Sequence, residues 1–121
     1  EGECTMRTVL DGKFIMYEGT STMMGKPHKI LSLYGYDTLN KEYFVINLNS
    51  IYTAAYEMRG KIRKDGVVEF KGIMKDAFTP KGRPYRVEEK RQSDDKFEVL
   101  VYDGVGDKEF LVLTMTYERV K

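Results

Sequence analysis

With 121 residues the chain has the length of one domain, enough to bury a core without disulfides or metal. Its 20 basic and 19 acidic residues leave a net charge of +1, too little for a nucleic-acid groove or an anionic membrane surface, and no run of about 18 apolar residues exists to span a bilayer. The only cysteine, Cys4, excludes an intrachain disulfide and reads as a small strand residue.

In chain order the sequence reads as strand after strand, each alternating in polarity and bounded by turn residues. Residues 3–10 end at Asp11-Gly12, a strong hairpin signal because both residues tolerate positive φ. Residues 13–19 follow, with Phe14 and Met16 on one face and Ile15 and Tyr17 on the other. Met24-Gly25-Lys26-Pro27 reads as a turn or edge irregularity, since Pro27 cannot donate to a ladder. Residues 28–36 form the next strand and 37–42 a polar loop. In 43–49, Phe44, Ile46 and Leu48 face one way and Tyr43, Val45, Asn47 and Asn49 the other. Residues 54–63 alternate, Lys64-Asp65-Gly66 closes a hairpin, and 67–76 continue with Val68, Phe70, Gly72 and Met74 on one face. A Pro- and Gly-rich turn at 79–84 precedes strands at 85–92, 96–102 and 108–119.

No segment carries helical periodicity. About nine closely spaced strands predict one all-β domain over 1–121. The expected architecture is an antiparallel up-and-down meander that closes into a barrel, since closure removes exposed edges. Gly60 and Gly72 fall inside strands. They mark either sharp bends at barrel corners or room for a ligand, or space filled by bulky neighbours.

Little in the sequence suits catalysis. His28 is the only histidine, and no Gly-x-Ser-x-Gly elbow accompanies it, so it reads as an aromatic-sized filler of the rim or interior. One histidine and one cysteine cannot make a zinc site without two carboxylates. Haem held by His28 alone has precedent in small barrels, but no cofactor is expected. Glu88-Glu89 and Asp94-Asp95 are adjacent pairs that point to opposite faces or sit in a turn, not a glycosidase pair. Gly104-Val105-Gly106 lacks the helix and lysine of a phosphate loop. Tyrosine acid–base chemistry would need strong tuning from a pKa near 10. The chain is therefore expected not to be an enzyme. The basic residues between Lys81 and Arg91 are interrupted by acids and read as a solvated strand face. Arg86 falls with Glu88, Lys90 and Gln92 on that face, and Arg119 is expected to be solvated.

Nine tyrosines and no tryptophan point elsewhere. Strand parity groups Tyr34 with His28, Tyr43 with Asn47 and Asn49, Tyr56 with Met58, and Tyr117 with Met115. A pocket lined by His28, Tyr34, Tyr43, Asn47, Asn49, Tyr56, Met58 and Tyr117 would take a small hydrophobic or aromatic ligand with a few polar handles. The alternative is a solid core in a structural module that acts through homodimerisation or partner binding.

Glu18 through Pro27, Gly35-Tyr36-Asp37, Lys41-Glu42-Tyr43, Tyr102-Asp103, Lys108-Glu109-Phe110, Thr116-Tyr117-Glu118-Arg119 and the Leu10-Asp11-Gly12-Lys13-Phe14 hairpin together resemble the bacterial domain-of-unknown-function family 1579. The resemblance implies a lipocalin-like, calycin-type barrel and no activity. It departs in two places. The family's Trp- and Gly-containing segment before the Leu-Asp-Gly hairpin is missing, and no tryptophan stands near Asn47. Where the family often has Asp-Ser, this chain has Asn49-Ser50, which implies a less acidic cavity. An unpaired ladder edge would follow from the missing segment, and a homodimer is expected to cover it, using the apolar face of Phe44, Ile46 and Leu48. No signal peptide is visible; the location is unknown, with the cytoplasm preferred.

Overall fold

The computed structural model describes residues 1–51, 53–77, 79–104 and 108–120 (for Met23, the backbone only). Its strands are β1 (Gly2–Val9), β2 (Phe14–Met23), β3 (Lys26–Asp37), β4 (Glu42–Asn49), β5 (Ala55–Ile62), β6 (Val68–Met74), β7 (Arg83–Ser93), β8 (Lys96–Asp103) and β9 (Phe110–Glu118). They succeed one another in the sheet in chain order. The pairs β1–β2, β2–β3, β3–β4, β6–β7, β7–β8 and β8–β9 all run antiparallel. The protein is all-β, with the nine-strand meander that the turn spacing predicts. It divides into two compact units, Glu1–Met58 and Arg59–Lys121.

Tight turns set the register of the first unit. Leu10, Asp11 and Gly12 all have positive φ, and the Lys13 amide donates to the Leu10 carbonyl at 3.3 Å, closing the β1–β2 hairpin. Met24 (φ 53°) and Gly25 (φ 76°) form a two-residue connection of the kind whose twist matches that of its strands. This connection joins Met23 to Lys26 in register, so β2 runs to Met23 and β3 starts at Lys26. Pro27 is no break. It lies opposite Thr22, before the β3–β4 ladder begins at Ile30 opposite Asn49, so no β4 carbonyl needs the amide it lacks.

Cross-strand partners share a face. One face of the first unit carries the buried residues Tyr17, His28, Ser32 and Val45, the last only 2% exposed. The other carries Phe14, Met16, Leu31, Leu33, Phe44 and Ile46, all half-buried, and the exposed Leu48. On that face Phe14 and Phe44 meet edge to face at 6.1 Å above Gly35. A Cβ on Gly35 would stand 2.6 Å from Phe44 Cζ and 2.9 Å from Phe14 Cδ1.

In the second unit the apolar face holds Phe70, Tyr85, Val87 and Val99, all buried. Val101 faces Leu113 and Tyr102 faces Leu111, so Val112 is a bulge residue in β9. Gly60 answers to a backbone: a Cβ there would stand 1.7 Å from the Glu69 carbonyl oxygen. Close approach of β6, rather than room for a ligand, accounts for that glycine.

Candidate functional site

The register of the first unit places His28, Tyr34, Tyr43, Asn47 and Asn49 on one face of β3 and β4, as parity predicts. Ile30 faces Asn49, Ser32 faces Asn47, Tyr34 faces Val45 and Tyr36 faces Tyr43. The same rows continue outward, with Tyr17 beside Ser32, Gly19 beside Ile30, and Met6 and Cys4 beside Tyr17 and Gly19.

His28 is 6% exposed, and among the described residues neither ring nitrogen has a hydrogen-bond partner. A neutral imidazole carries one donor and one acceptor. Leaving a buried polar group unsatisfied costs about 1–3 kcal/mol.

Two pairs of polar groups on the same face are bonded to each other. Asn47 Nδ2 donates to Ser32 Oγ at 2.8 Å. Tyr17 leans along its strand over Gly19, where a Cβ would meet its Oη at 2.6 Å and its Cε1 at 2.8 Å. The Tyr17 hydroxyl hydrogen-bonds the Cys4 thiol. Although Cys4 as a residue is exposed, burial of its sulfur against the sheet pushes the thiol pKa up, more than the Tyr17 hydrogen bond pulls it down. Such a thiol is a poor nucleophile near neutral pH.

The remaining predicted residues are more scattered in role. Tyr43 packs edge to face on Tyr36, with centroids 4.9 Å apart. Asn49 Oδ1 accepts the Ile51 amide at 3.0 Å, and Asn49 also lines an open groove with Leu48, Thr53, Ala54 and Ala55. Tyr56 is buried and Met58 half-buried, both on β5 at the end of the first unit. Tyr117 belongs to the second unit, where it stacks on Phe97 at 4.6 Å and its hydroxyl donates to Met115 Sδ at 3.4 Å. Tyr17, Ser32 and Cys4 were not among the sequence candidates. Parity places Tyr17 with Ile15, but only the two-residue Met24-Gly25 turn puts it beside Ser32.

A family model described as a protein of unknown function, DUF1579, matches residues 1–119. The chain belongs to the DUF1579 family. No curated protein and no solved structure matches it. The DUF1579 match runs through both units and includes the His28 face.

In the second unit of this DUF1579 protein the expectation of a solvated charged face is overturned. Glu88 is only 5% exposed. It lies among Arg86, whose Nη1 reaches its Oε2 at 2.7 Å, Arg63, which hydrogen-bonds the same oxygen, and the Tyr102 hydroxyl at 3.4 Å. Arg86 also holds Glu109 at 2.6 Å and lies 4.1 Å above the Tyr102 ring. Arg63 reaches Glu69 at 3.1 Å and Asp65 at 2.6 Å. Lys71 faces Arg86 and Glu69 faces Glu88 across β6–β7, so long side chains stack over a buried carboxylate. Burial alone would raise the Glu88 pKa, but the hydrogen bonds from Arg86 and Arg63 outweigh it and hold the group below the usual range. The Arg86 guanidinium likewise depresses Glu109, and Arg63 brings Asp65 down to about 2. Both arginines are pushed above their ordinary values by the same bonds. The cluster is internally satisfied, which makes it a clamp between strands rather than a ligand anchor.

Among the described residues no group of three or more His, Cys, Asp or Glu converges where a metal could sit, and no helix is long and apolar enough to cross a membrane.

Proposed function

We propose that this DUF1579 protein is a non-catalytic binding module whose first unit takes a small apolar or mixed-polarity ligand against the His28 face. The observation that carries this reading is the pair of His28 ring nitrogens, which are buried and have no partner among the described residues, on the sheet face where Asn47 and Ser32 are bonded to each other. A ligand hydroxyl or amide would complete the imidazole, and its apolar body would lie along Ile30, Tyr34, Tyr43 and Val45. Because the ring nitrogens are shut off from water, neighbouring side chains must part to admit it. A non-catalytic role is supported by the raised thiol pKa of Cys4 and by the fact that among the described residues no side chain hydrogen-bonds the His28 ring to act with it.

The test is displacement of a naphthalene sulfonate dye or a fluorescent fatty acid from the native protein, with a native mass spectrum of the protein from its own host. Bound mass and saturable uptake are expected, weakened at least about tenfold in His28→Leu, the loss of one charge-free hydrogen bond and its desolvated partner. Native protein that takes up neither probe and carries no added mass would end the reading. It would leave the second one, a solid-core interaction module. The half-exposed apolar face of Phe14, Leu33, Phe44 and Leu48 favours that alternative.

A further inference from the structure

Among the described residues β1 is the outermost strand of the first unit and pairs with β2 alone. Its register runs without a bulge from Gly2 opposite Ser21 to Val9 opposite Phe14, and every residue but Val9 is exposed. Its outer edge is a straight row of peptide donors and acceptors, with neither the proline, the lysine nor the bulge that guards natural edges. We infer that this edge docks β1 of a second copy, the two strands antiparallel about a two-fold axis through Thr5. The inference is independent of the ligand reading, and it moves the expected dimer contact from the Phe44 face to the β1 edge.

Charge selects both the occupant and the register. Glu3, Thr5, Arg7 and Val9 share one face of β1. Pairing about Thr5 sets Glu3 opposite Arg7 of the partner subunit, and by symmetry does so twice. It keeps each face of the sheet continuous across the axis. Pairing about Cys4 leaves Glu3 opposite Thr5 and reaches Arg7 only with Glu1, outside β1. Pairing about Met6 sets Glu3 against Val9 and Arg7 against Thr5. Glu3 has no charge partner among the described residues. Arg7 holds Glu18 at 3.4 Å on its inner side, and its five donors leave capacity for a second carboxylate. A uniformly acidic or basic strand would match one of these charges and repel the other, whereas a copy of β1 carries both signs at the matching places.

The test is the solution mass over a concentration series, by light scattering or sedimentation. A species of twice the 14.1 kDa chain mass is expected. Glu3→Arg or Arg7→Glu alone is expected to weaken it at least about tenfold, since each turns two favourable pairs into two like-charge pairs. The double reversal is expected to restore it, which also shows that the variants fold. In a Cys4→Ser background, Thr5→Cys is expected to form an intermolecular disulfide, because directly opposed antiparallel residues lie about 4.5–5.5 Å apart at Cα, within disulfide reach. A monomer at every concentration, a dimer indifferent to the single reversals, or a monomer whose β1 amides are already protected from exchange by another segment would each overturn the inference.

Discussion

Asn47 gives its side-chain amide to the Ser32 hydroxyl at 2.8 Å, directly across the β3–β4 ladder. Ser32 is 3% exposed, so the bond ties two central strands where water cannot substitute. Asn47→Ala is expected to cost about 1–2 kcal/mol by leaving the Ser32 hydroxyl with a lost partner. Adding Ser32→Ala is expected to recover part of that loss, a non-additivity that urea denaturation of the two single variants and the double variant would measure.

His28→Leu is expected to raise stability by up to about 1 kcal/mol while impairing binding, since an apolar side chain of similar bulk leaves no buried polar atom unmatched. A thermal melt of the ligand-free variant is the check. A large loss of stability would mean that the imidazole has a partner after all, such as a buried water.

Gly60→Ala should be among the most damaging small substitutions in the chain. The new Cβ meets the carbonyl oxygen of Glu69, a backbone atom that cannot swing away. A loss of about 3 kcal/mol or more is expected, against roughly 1 kcal/mol or less for Gly→Ala at an uncrowded strand position. Denaturant midpoints at constant slope would measure it.

Met24 is 96% exposed and holds φ at 53°, a left-handed conformation that suits asparagine better than methionine. Met24→Asn is expected to add about 0.5–1 kcal/mol by relieving that cost within the two-residue turn. A higher melting temperature with unchanged ligand uptake would confirm that the turn sets register and does nothing else.

Acid should loosen the second unit. Glu88 and Glu109 titrate below their ordinary values in the folded chain, so their contribution is present above the unfolded carboxylate pKa near 4.3 and is lost as pH falls through the folded values. Glu88→Gln is expected to cost about 2 kcal/mol at pH 7. That is less than a fully buried pair, because the Arg63 side chain is 37% exposed. The variant's stability should also fall less steeply below pH 5. Parallel pH profiles for the two proteins would refute the clamp.

How much of this was legible in the sequence follows from what side-chain alternation can carry. Period-two polarity and the Asp11-Gly12 and Asp65-Gly66 turns predict nine strands, and the strands appear with ends shifted by a few residues. Alternation also assigns faces, which is why His28, Tyr34, Tyr43, Asn47 and Asn49 fall together on one side of β3 and β4. The turn expected at Met24-Gly25-Lys26-Pro27 falls at Met24-Gly25, and Pro27 fits inside β3 because β4 stops before reaching it.

The sequence by itself determined the all-β class, the strand order of neighbours and the sidedness of each strand, since these depend on local turn chemistry and the two-residue repeat of the pleat. Only the tertiary structure decided which polar groups are matched. Glu88 reads as a surface charge until Arg63 and Tyr102, from elsewhere in the chain, close over it beside its strand neighbour Arg86. His28 reads as filler until its described surroundings leave both nitrogens without a partner. Burial and hydrogen-bond satisfaction belong to the neighbours that register brings alongside, and no single strand's pattern contains them.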